Sequence, residues 1–223
     1  MPLHDRQRRG ARDAGRLVGA PHERPWVDFA HNRNEALELA RPWADYLLVI
    51  DADETLELSP GFRLPKLEAD AYLTPHRGSK SGTSFYRTQL VRSERPFRYV
   101  GVLHEVVVCD EPHRSAKREG LTCVGHFDSA RNQRDPREKY LRDARVLEAA
   151  LEREPDNARY VFYLAQSYRD AREPERAIDT YRRRASMGGW AEEVHYALYQ
   201  VGLSCLERGR RDEGIVALLD AYE

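Results

Sequence analysis

The sequence predicts an α/β fold in two parts: a partial Rossmann-like domain over residues 26–130, then an all-α region over residues 131–223. Two observations predict this division. Residues 46–50, Tyr-Leu-Leu-Val-Ile, form an apolar run of strand length, which is typical of a strand buried on both faces of a sheet. From Arg137 on, apolar residues instead recur at helical spacing.

The composition is that of a hydrophilic chain with enough apolar residues for a core. Of the 223 residues, 41% are hydrophobic and 33% are charged, and the formal net charge is −1. This balanced charge argues against a general nucleic-acid-binding protein. No apolar run reaches the ~18 residues of a transmembrane helix. We therefore expect neither a nucleic-acid partner nor a transmembrane segment.

Cysteine content and the N-terminal composition bear on the compartment. Cys109, Cys123 and Cys205 are odd in number and widely spaced, which fits neither a disulfide framework nor a zinc site. Residues 1–25 contain six arginines but no apolar segment of a secretory signal. We predict a cytoplasmic protein with reduced thiols, in which residues 1–25 form a basic, disordered arm.

A helix is predicted immediately before the apolar run. Asn32 is followed three residues later by Glu35, as in a capping box, and the helix that starts there ends near Pro42. The order of helix, short loop and buried strand is half of a βαβ unit. Strand-like patterns then follow over residues 71–74, 84–91, 97–108 and 121–127.

The C-terminal part contains a repeat. One copy of a small/large apolar pattern includes Ala165, and a second copy, 37 residues later, includes Gly202. A tetratricopeptide repeat has a period of about 34 residues, so Gly188-Gly189-Trp190 is interpreted as a small insertion. We predict a helical linker and two tetratricopeptide-like repeats that pack on the preceding domain, because two repeats alone bury little apolar surface.

Two carboxylates follow the apolar run directly. Asp51 and Asp53 stand at alternate positions just past the C-terminal end of the predicted strand, the edge at which open α/β sheets bind ligands. Hard oxygen ligands at such a place suit Mg²⁺ or Mn²⁺ shared with a substrate diphosphate.

Three segments together resemble the bacterial family 2 glycosyltransferases, in particular the subgroup with helical repeats after a GT-A domain. They are Trp26-x-Asp28-Phe29-Ala30-x-Asn32-Arg33-Asn34-Glu35-Ala36, residues 46–54, and Gly101-Val102-Leu103-His104-Glu105. The resemblance covers roughly residues 26 to 223. It implies a GT-A fold, a nucleotide-sugar donor, a divalent metal, and an acceptor that is a saccharide, a lipid-linked saccharide or a peptide.

The resemblance also implies roles for individual residues. Asp51 is expected near the donor's ribose or a metal-bound water, and Asp53 is expected to bind the metal. His104 is a candidate third metal ligand or diphosphate contact, and Glu105 a candidate general base. Neighbouring residues on a strand face opposite ways, so His104 and Glu105 need a bend to reach one metal. Candidate donor-binding residues, chiefly for phosphate, are Arg33, Asn34 and Arg92.

The chain departs from the family at its N-terminus. Only 50 residues precede Asp51, and the first 25 do not resemble the strands and helices that hold the nucleotide base in the family. We therefore expect the base-binding part to be absent and the isolated chain to transfer sugar very slowly or not at all.

Two alternatives remain open. Asp51-Ala52-Asp53-Glu54-Thr55 matches the Asp-x-Asp-x-Thr motif of haloacid-dehalogenase-like phosphatases, in which Asp51 would be the nucleophile. The chain could instead be a non-catalytic interaction module that binds a protein partner through its repeats. Binding of a diphosphate or Mn²⁺ favours the transferase, whereas peptide binding without either favours the module.

Overall fold

The computed structural model describes residues 21–79, 84–126 and 135–222, which fall into two compact units. The first unit contains the described chain up to residue 100 together with residues 107–125, and the second contains residues 101–106 and the chain from residue 126 onward. Strands dominate the first unit and helices the second, so the α/β class is confirmed. Most of the predicted arm and the predicted boundary near residue 130 lie outside the described residues.

Helix α1 (Phe29–Ala40) begins one turn earlier than predicted. Asp28 is its N-cap, and the Asp28 carboxylate accepts a hydrogen bond from the His31 backbone N–H at 2.7 Å. The Asn32 side chain lies in the first turn and accepts from the Val27 N–H at 2.9 Å. The predicted start at Asn32 is wrong because Asp28 supplies an equally good cap one turn earlier.

The strands of the first unit form a mixed sheet. Five of them lie side by side in the order β1, β4, β3, β8, β2, and β7 pairs with β3. The β3–β7 and β3–β8 pairs are parallel, and the other pairs in this sheet are antiparallel. A separate pair joins β5 and β6. The strands are β1 (Tyr46–Leu48), β2 (Glu54–Leu58), β3 (Ala71–Gly78), β4 (Ser84–Arg92), β5 (Arg98–Val100), β6 (Val106–Val108), β7 (Ser115–Lys117) and β8 (Leu121–Gly125).

Strand β1 is shorter and more exposed than the sequence predicted. Leu47 is buried, but Leu48 and Ile50 are 37% and 43% exposed. Within the described residues β1 pairs only with β4, and antiparallel, so it lies at an edge of the sheet. One face of β1 covers the cluster that contains Leu37 of α1. The prediction of a strand buried on both faces is wrong, because an edge strand over one helix needs only one apolar face.

The predicted strand over residues 97–108 is interrupted. Strands β5 and β6 are separated by residues 101–105, where Gly101 and His104 have φ values of 114° and 52°. Both values lie in the left-handed region that favours glycine. The chain therefore turns between the two strands instead of continuing as one. The predicted strands over 71–74 and 84–91 are confirmed as β3 and β4, and the strand predicted over 121–127 is observed as β8, which ends at Gly125, while residue 127 lies outside the described residues.

Five helices form the described C-terminal part of the second unit, as predicted from residue 137 onward. Each contacts the next along the chain, and short connections favour such neighbour packing. Within the described ranges, no helix is long and apolar enough to cross a membrane. The tetratricopeptide identity of the repeats stays a prediction. The helices are α2 (Pro136–Arg153), α3 (Ala158–Asp170), α4 (Pro174–Ser186), α5 (Ala191–Glu207) and α6 (Arg211–Tyr222).

Small residues allow α5 and α6 to approach closely. A Cβ placed on Gly202 would lie 2.6 Å from the Leu218 Cγ atom and 3.1 Å from the Gly214 carbonyl oxygen. A Cβ on Gly214 would in turn lie 3.0 Å from the Gly202 carbonyl oxygen. Gly202, which belongs to the repeat pattern, and Gly214 therefore mark a tight crossing of the two helices.

A charged pair lies inside the helical unit. Arg184 of α4 is 1% exposed and Glu193 of α5 is 8% exposed. The Arg184 Nε and Nη2 atoms donate to one Glu193 carboxylate oxygen at 3.1 and 3.0 Å, and Nη1 donates to the Gly188 carbonyl oxygen at 2.8 Å. This pair ties α4 to α5 across the Gly188-Gly189 connection that the sequence marked as an insertion.

Candidate functional site

The turn after β1 presents the carboxylates that the sequence singled out. Residues 51–53 lie between β1 and β2, and the Glu54 N–H donates to the Asp51 carbonyl oxygen at 3.0 Å. Asp53 is exposed at this turn and Asp51 is half-buried. The structure thus brings both residues to one short turn at the end of an edge strand, with the Asp53 side chain accessible to a ligand.

Arg33 of α1 reaches the same turn. One of its Nη atoms lies 2.7 Å from the Asp51 Oδ1 atom, and its guanidinium lies 5.2 Å from the centre of the Tyr99 ring. Burial raises the pKa of the Tyr99 hydroxyl, and the positive charge of Arg33 opposes that rise. The structure therefore brings together Arg33 and Asp51, two residues to which the resemblance gives separate roles, and it holds a cation beside the Asp51 carboxylate.

Glu54 is the residue of this site that sequence reasoning missed. Its side chain is 5% exposed, and one Arg87 Nη atom donates to both carboxylate oxygens at 2.6 and 2.8 Å. The His76 Nε2 atom lies 2.9 Å from Oε1, and the Asp51 backbone N–H donates to Oε2 at 3.0 Å. Its side-chain partners His76 and Arg87 lie 22 and 33 residues away in the chain, so no local pattern could have shown them.

These contacts keep the Glu54 carboxyl ionised. Burial by itself raises the pKa of Glu54, but the Asp51 N–H, the charge of Arg87 and the His76 hydrogen bond outweigh it, so the pKa lies below its usual value. Charge-assisted hydrogen bonds of this kind favour the ionised carboxylate. Glu54 is thus a buried anion with fixed partners.

Replacing Glu54 by glutamine is expected to destabilise the first unit at pH 7 by about 1–3 kcal/mol, since charged hydrogen bonds are lost. Because the folded-state pKa is lowered, the ionised carboxylate stabilises the fold above the usual pKa of 4.5, and this contribution is lost as the pH falls through the folded value. Thermal unfolding followed by circular dichroism from pH 7 to 3 should show the wild-type advantage shrinking below about pH 4.5. A gap that is independent of pH would contradict the assignment.

Asn34 and Arg92 are placed where they support the fold. The Asn34 side chain donates to the Tyr99 carbonyl oxygen at 2.9 Å and accepts from the Tyr99 N–H at 2.7 Å, which joins α1 to β5. Arg92 pairs in register with Tyr46, at the end of β1 opposite to Asp51, and its Nε lies 3.3 Å from an Asp70 oxygen. The structure therefore does not bring Arg92 together with Asp51.

His104 and Glu105 belong to the second unit. The His104 ring stacks on Tyr163 of α3, with centroids 4.0 Å apart and planes 10° apart. Arg159 donates to the His104 carbonyl oxygen at 2.8 Å. The removal of water from the stacked ring lowers the pKa of His104. The bend that a joint role of His104 and Glu105 requires is present at His104, and their metal and base roles stay predictions.

The residues of the turn fit a divalent ion that takes most of its ligands from water and from substrate phosphates. Among residues 21–79, 84–126 and 135–222, no three His, Cys, Asp or Glu side chains converge on a possible metal site. Mg²⁺ keeps several waters and is commonly bound by one or two carboxylates plus substrate phosphates. The exposed Asp53 carboxylate, with Asp51 beside it, supplies hard oxygen ligands of that kind.

The comparisons with known proteins add no family. No protein-family model matches the chain, and no curated protein matches its sequence. The fold and site therefore define a mixed α/β unit with an acidic turn, followed in the chain by a helical unit. The haloacid-dehalogenase-like alternative gains nothing from the geometry, because Asp51 follows an antiparallel edge strand and forms an ion pair with Arg33.

Proposed function

We propose that the chain is a glycosyltransferase-type protein that binds a nucleotide-sugar donor with Mg²⁺ or Mn²⁺ and transfers the sugar to an acceptor hydroxyl. The observation that carries the proposal is the acidic turn between β1 and β2, where Asp53 is exposed and Asp51 is paired with Arg33 at 2.7 Å. An exposed carboxylate next to a fixed guanidinium suits a metal-bound diphosphate, which carries both a cation and anionic oxygens.

Arg33 has a defined task in this proposal. Its guanidinium is held by the Asp51 carboxylate and lies over Tyr99, so it is oriented before any ligand binds. Arginine presents its positive charge on a planar fork of five N–H donors, a geometry that suits phosphate oxygens. Arg33 therefore contributes positive charge at the diphosphate without a large loss of side-chain freedom.

The transfer reaction divides into tasks for metal and protein. The bound metal would stabilise negative charge on the leaving nucleoside diphosphate. Asp53 would hold the metal at the diphosphate end of the donor, and Arg33 would neutralise diphosphate oxygens. The acceptor hydroxyl must lose its proton to a base, the role that the resemblance gives to Glu105. The acceptor is proposed only as a class: a saccharide, a lipid-linked saccharide or a peptide side chain.

The proposal is tested by calorimetric titration of the wild-type chain with UDP, GDP, CDP and dTDP, each with Mn²⁺, with Mg²⁺ and with a chelator. We expect at least one nucleoside diphosphate to bind with a metal and to lose that binding in chelator. Inorganic phosphate, which has no diphosphate bridge, serves as the ligand control. Absence of metal-dependent binding across the whole panel would overturn the proposed function.

A further inference from the structure

Two hydrogen bonds of opposite direction join Asp51 and Glu54 across the turn at residues 51–54. The Glu54 N–H donates to the Asp51 carbonyl oxygen at 3.0 Å, which is the hydrogen bond of a β-turn. The Asp51 N–H donates in the opposite sense, to the Glu54 carboxylate at 3.0 Å. Asp53 is the third residue of this turn. Glu54 therefore fixes the backbone of the turn that contains Asp53, both through the main-chain N–H of Glu54 and through its carboxylate.

The Glu54 carboxylate is itself attached to the centre of the sheet. His76 lies on β3 and Arg87 on β4, two strands that pair along their length. His76 contacts Oε1 at 2.9 Å, and Arg87 contacts both oxygens at 2.6 and 2.8 Å. The side chain of Glu54 is 5% exposed, so water offers few competing partners. A continuous set of hydrogen bonds thus runs from the paired strands to the turn.

We propose that Glu54 is a positioning residue for the Asp53 carboxylate and that His76 and Arg87 hold Glu54 in place. The inference rests on the proposed function, because the importance of the Asp53 orientation depends on its binding a metal with a diphosphate. Ligand groups must be held close to their productive geometry by supporting contacts, and loss of such contacts typically lowers metal affinity 10–100-fold.

A purely structural role predicts a different result. If Glu54 only stabilises the sheet, its replacement lowers the unfolding temperature but leaves ligand affinity unchanged wherever the variant is folded. If Glu54 positions the turn, affinity falls in the folded protein, and the Asp51 amide loses protection because its acceptor has changed. Amide hydrogen exchange needs no ligand and measures the turn directly.

The test compares Glu54→Gln with Glu57→Gln, a control on the same strand whose exposed carboxylate pairs with Arg77 at 2.6 Å. For Glu54→Gln we expect at least tenfold weaker Mn²⁺-dependent binding of the nucleoside diphosphate that the wild-type chain binds. We also expect the exchange of the Asp51 amide to increase by a larger factor than the exchange in β3 and β4, which rises only with the lower stability of the unit. The control should match the wild-type protein in both measurements.

Two outcomes separate the inference from the function on which it rests. Normal wild-type binding with unchanged affinity or unchanged Asp51 exchange in Glu54→Gln overturns the inference alone. Absence of binding by the wild-type chain overturns the proposed function.

Should Glu54→Gln fail to fold, His76→Phe retains a ring beside Phe85 and removes one contact to Glu54. Its expected result is faster Asp51 exchange and several-fold weaker binding, and wild-type values for both would overturn the inference.

Discussion

Replacing Asp53 by alanine is expected to weaken the Mn²⁺-dependent binding of a nucleoside diphosphate by tenfold or more. The variant removes an anionic ligand at an exposed turn, and water replaces a carboxylate only partly as a ligand of a divalent ion. Asp53→Asn keeps one oxygen ligand without the charge, so we expect it to retain a trace of binding. Isothermal titration calorimetry with and without Mn²⁺ measures the affinity of both variants for the nucleoside diphosphate.

The control for Asp53→Ala is Glu57→Ala, which removes an exposed carboxylate from the adjacent strand. It should bind as the wild-type chain does, because Glu57 is not part of the turn. Equal affinities for Asp53→Ala and the wild-type chain would show that the metal assignment is wrong.

The largest effect on stability is expected for Arg184→Leu. This change removes both hydrogen bonds that Arg184 donates to the buried Glu193 carboxylate. An unpaired buried charge costs about 3–5 kcal/mol, so the helical unit should unfold at a clearly lower denaturant concentration. Urea unfolding, followed by the far-ultraviolet circular dichroism of the helices, measures this difference in unfolding midpoint.

A matched control lies on the same helix. Arg182 pairs with Glu213 at 2.7 Å, but both side chains are largely exposed, and an exposed pair of this kind contributes about 0–1 kcal/mol. Arg182→Leu should therefore cost much less than Arg184→Leu. The double change Arg184→Leu with Glu193→Leu should recover part of the loss, because it leaves no unpaired charge. Equal costs for the two single arginine variants would contradict the buried-pair account.

The parts of the fold that local patterns encode could be predicted from the sequence. The apolar run before Asp51 indicated a strand, and the helical period after Arg137 indicated the helices, since both depend on side-chain spacing alone. The start of α1 was misplaced because Asp28 and Asn32 are both good caps, and only the packed structure decides between them. The exposed face of β1 was missed because an apolar run does not show whether its strand is central or at an edge.

Only those parts of the candidate site whose residues are adjacent in the sequence were predicted. Asp51 and Asp53 are neighbours in the chain, whereas the ion pair of Arg33 and Asp51 joins residues 18 positions apart and was not predicted. Glu54 was passed over because its environment comes from β3 and β4, which are distant in sequence. Arg184 could not be recognised as buried, because arginine is mostly exposed and is buried only when paired.

The central claim is that the turn of residues 51–54 holds a divalent ion together with a nucleoside diphosphate. The most direct measurement is paramagnetic broadening of backbone amide NMR signals by substoichiometric Mn²⁺, with and without the diphosphate that binds best. The account predicts that the amides of Ala52 and Asp53 broaden first, and only when the diphosphate is present. Broadening that begins in the helical unit, or that is the same in Asp53→Ala, would contradict it.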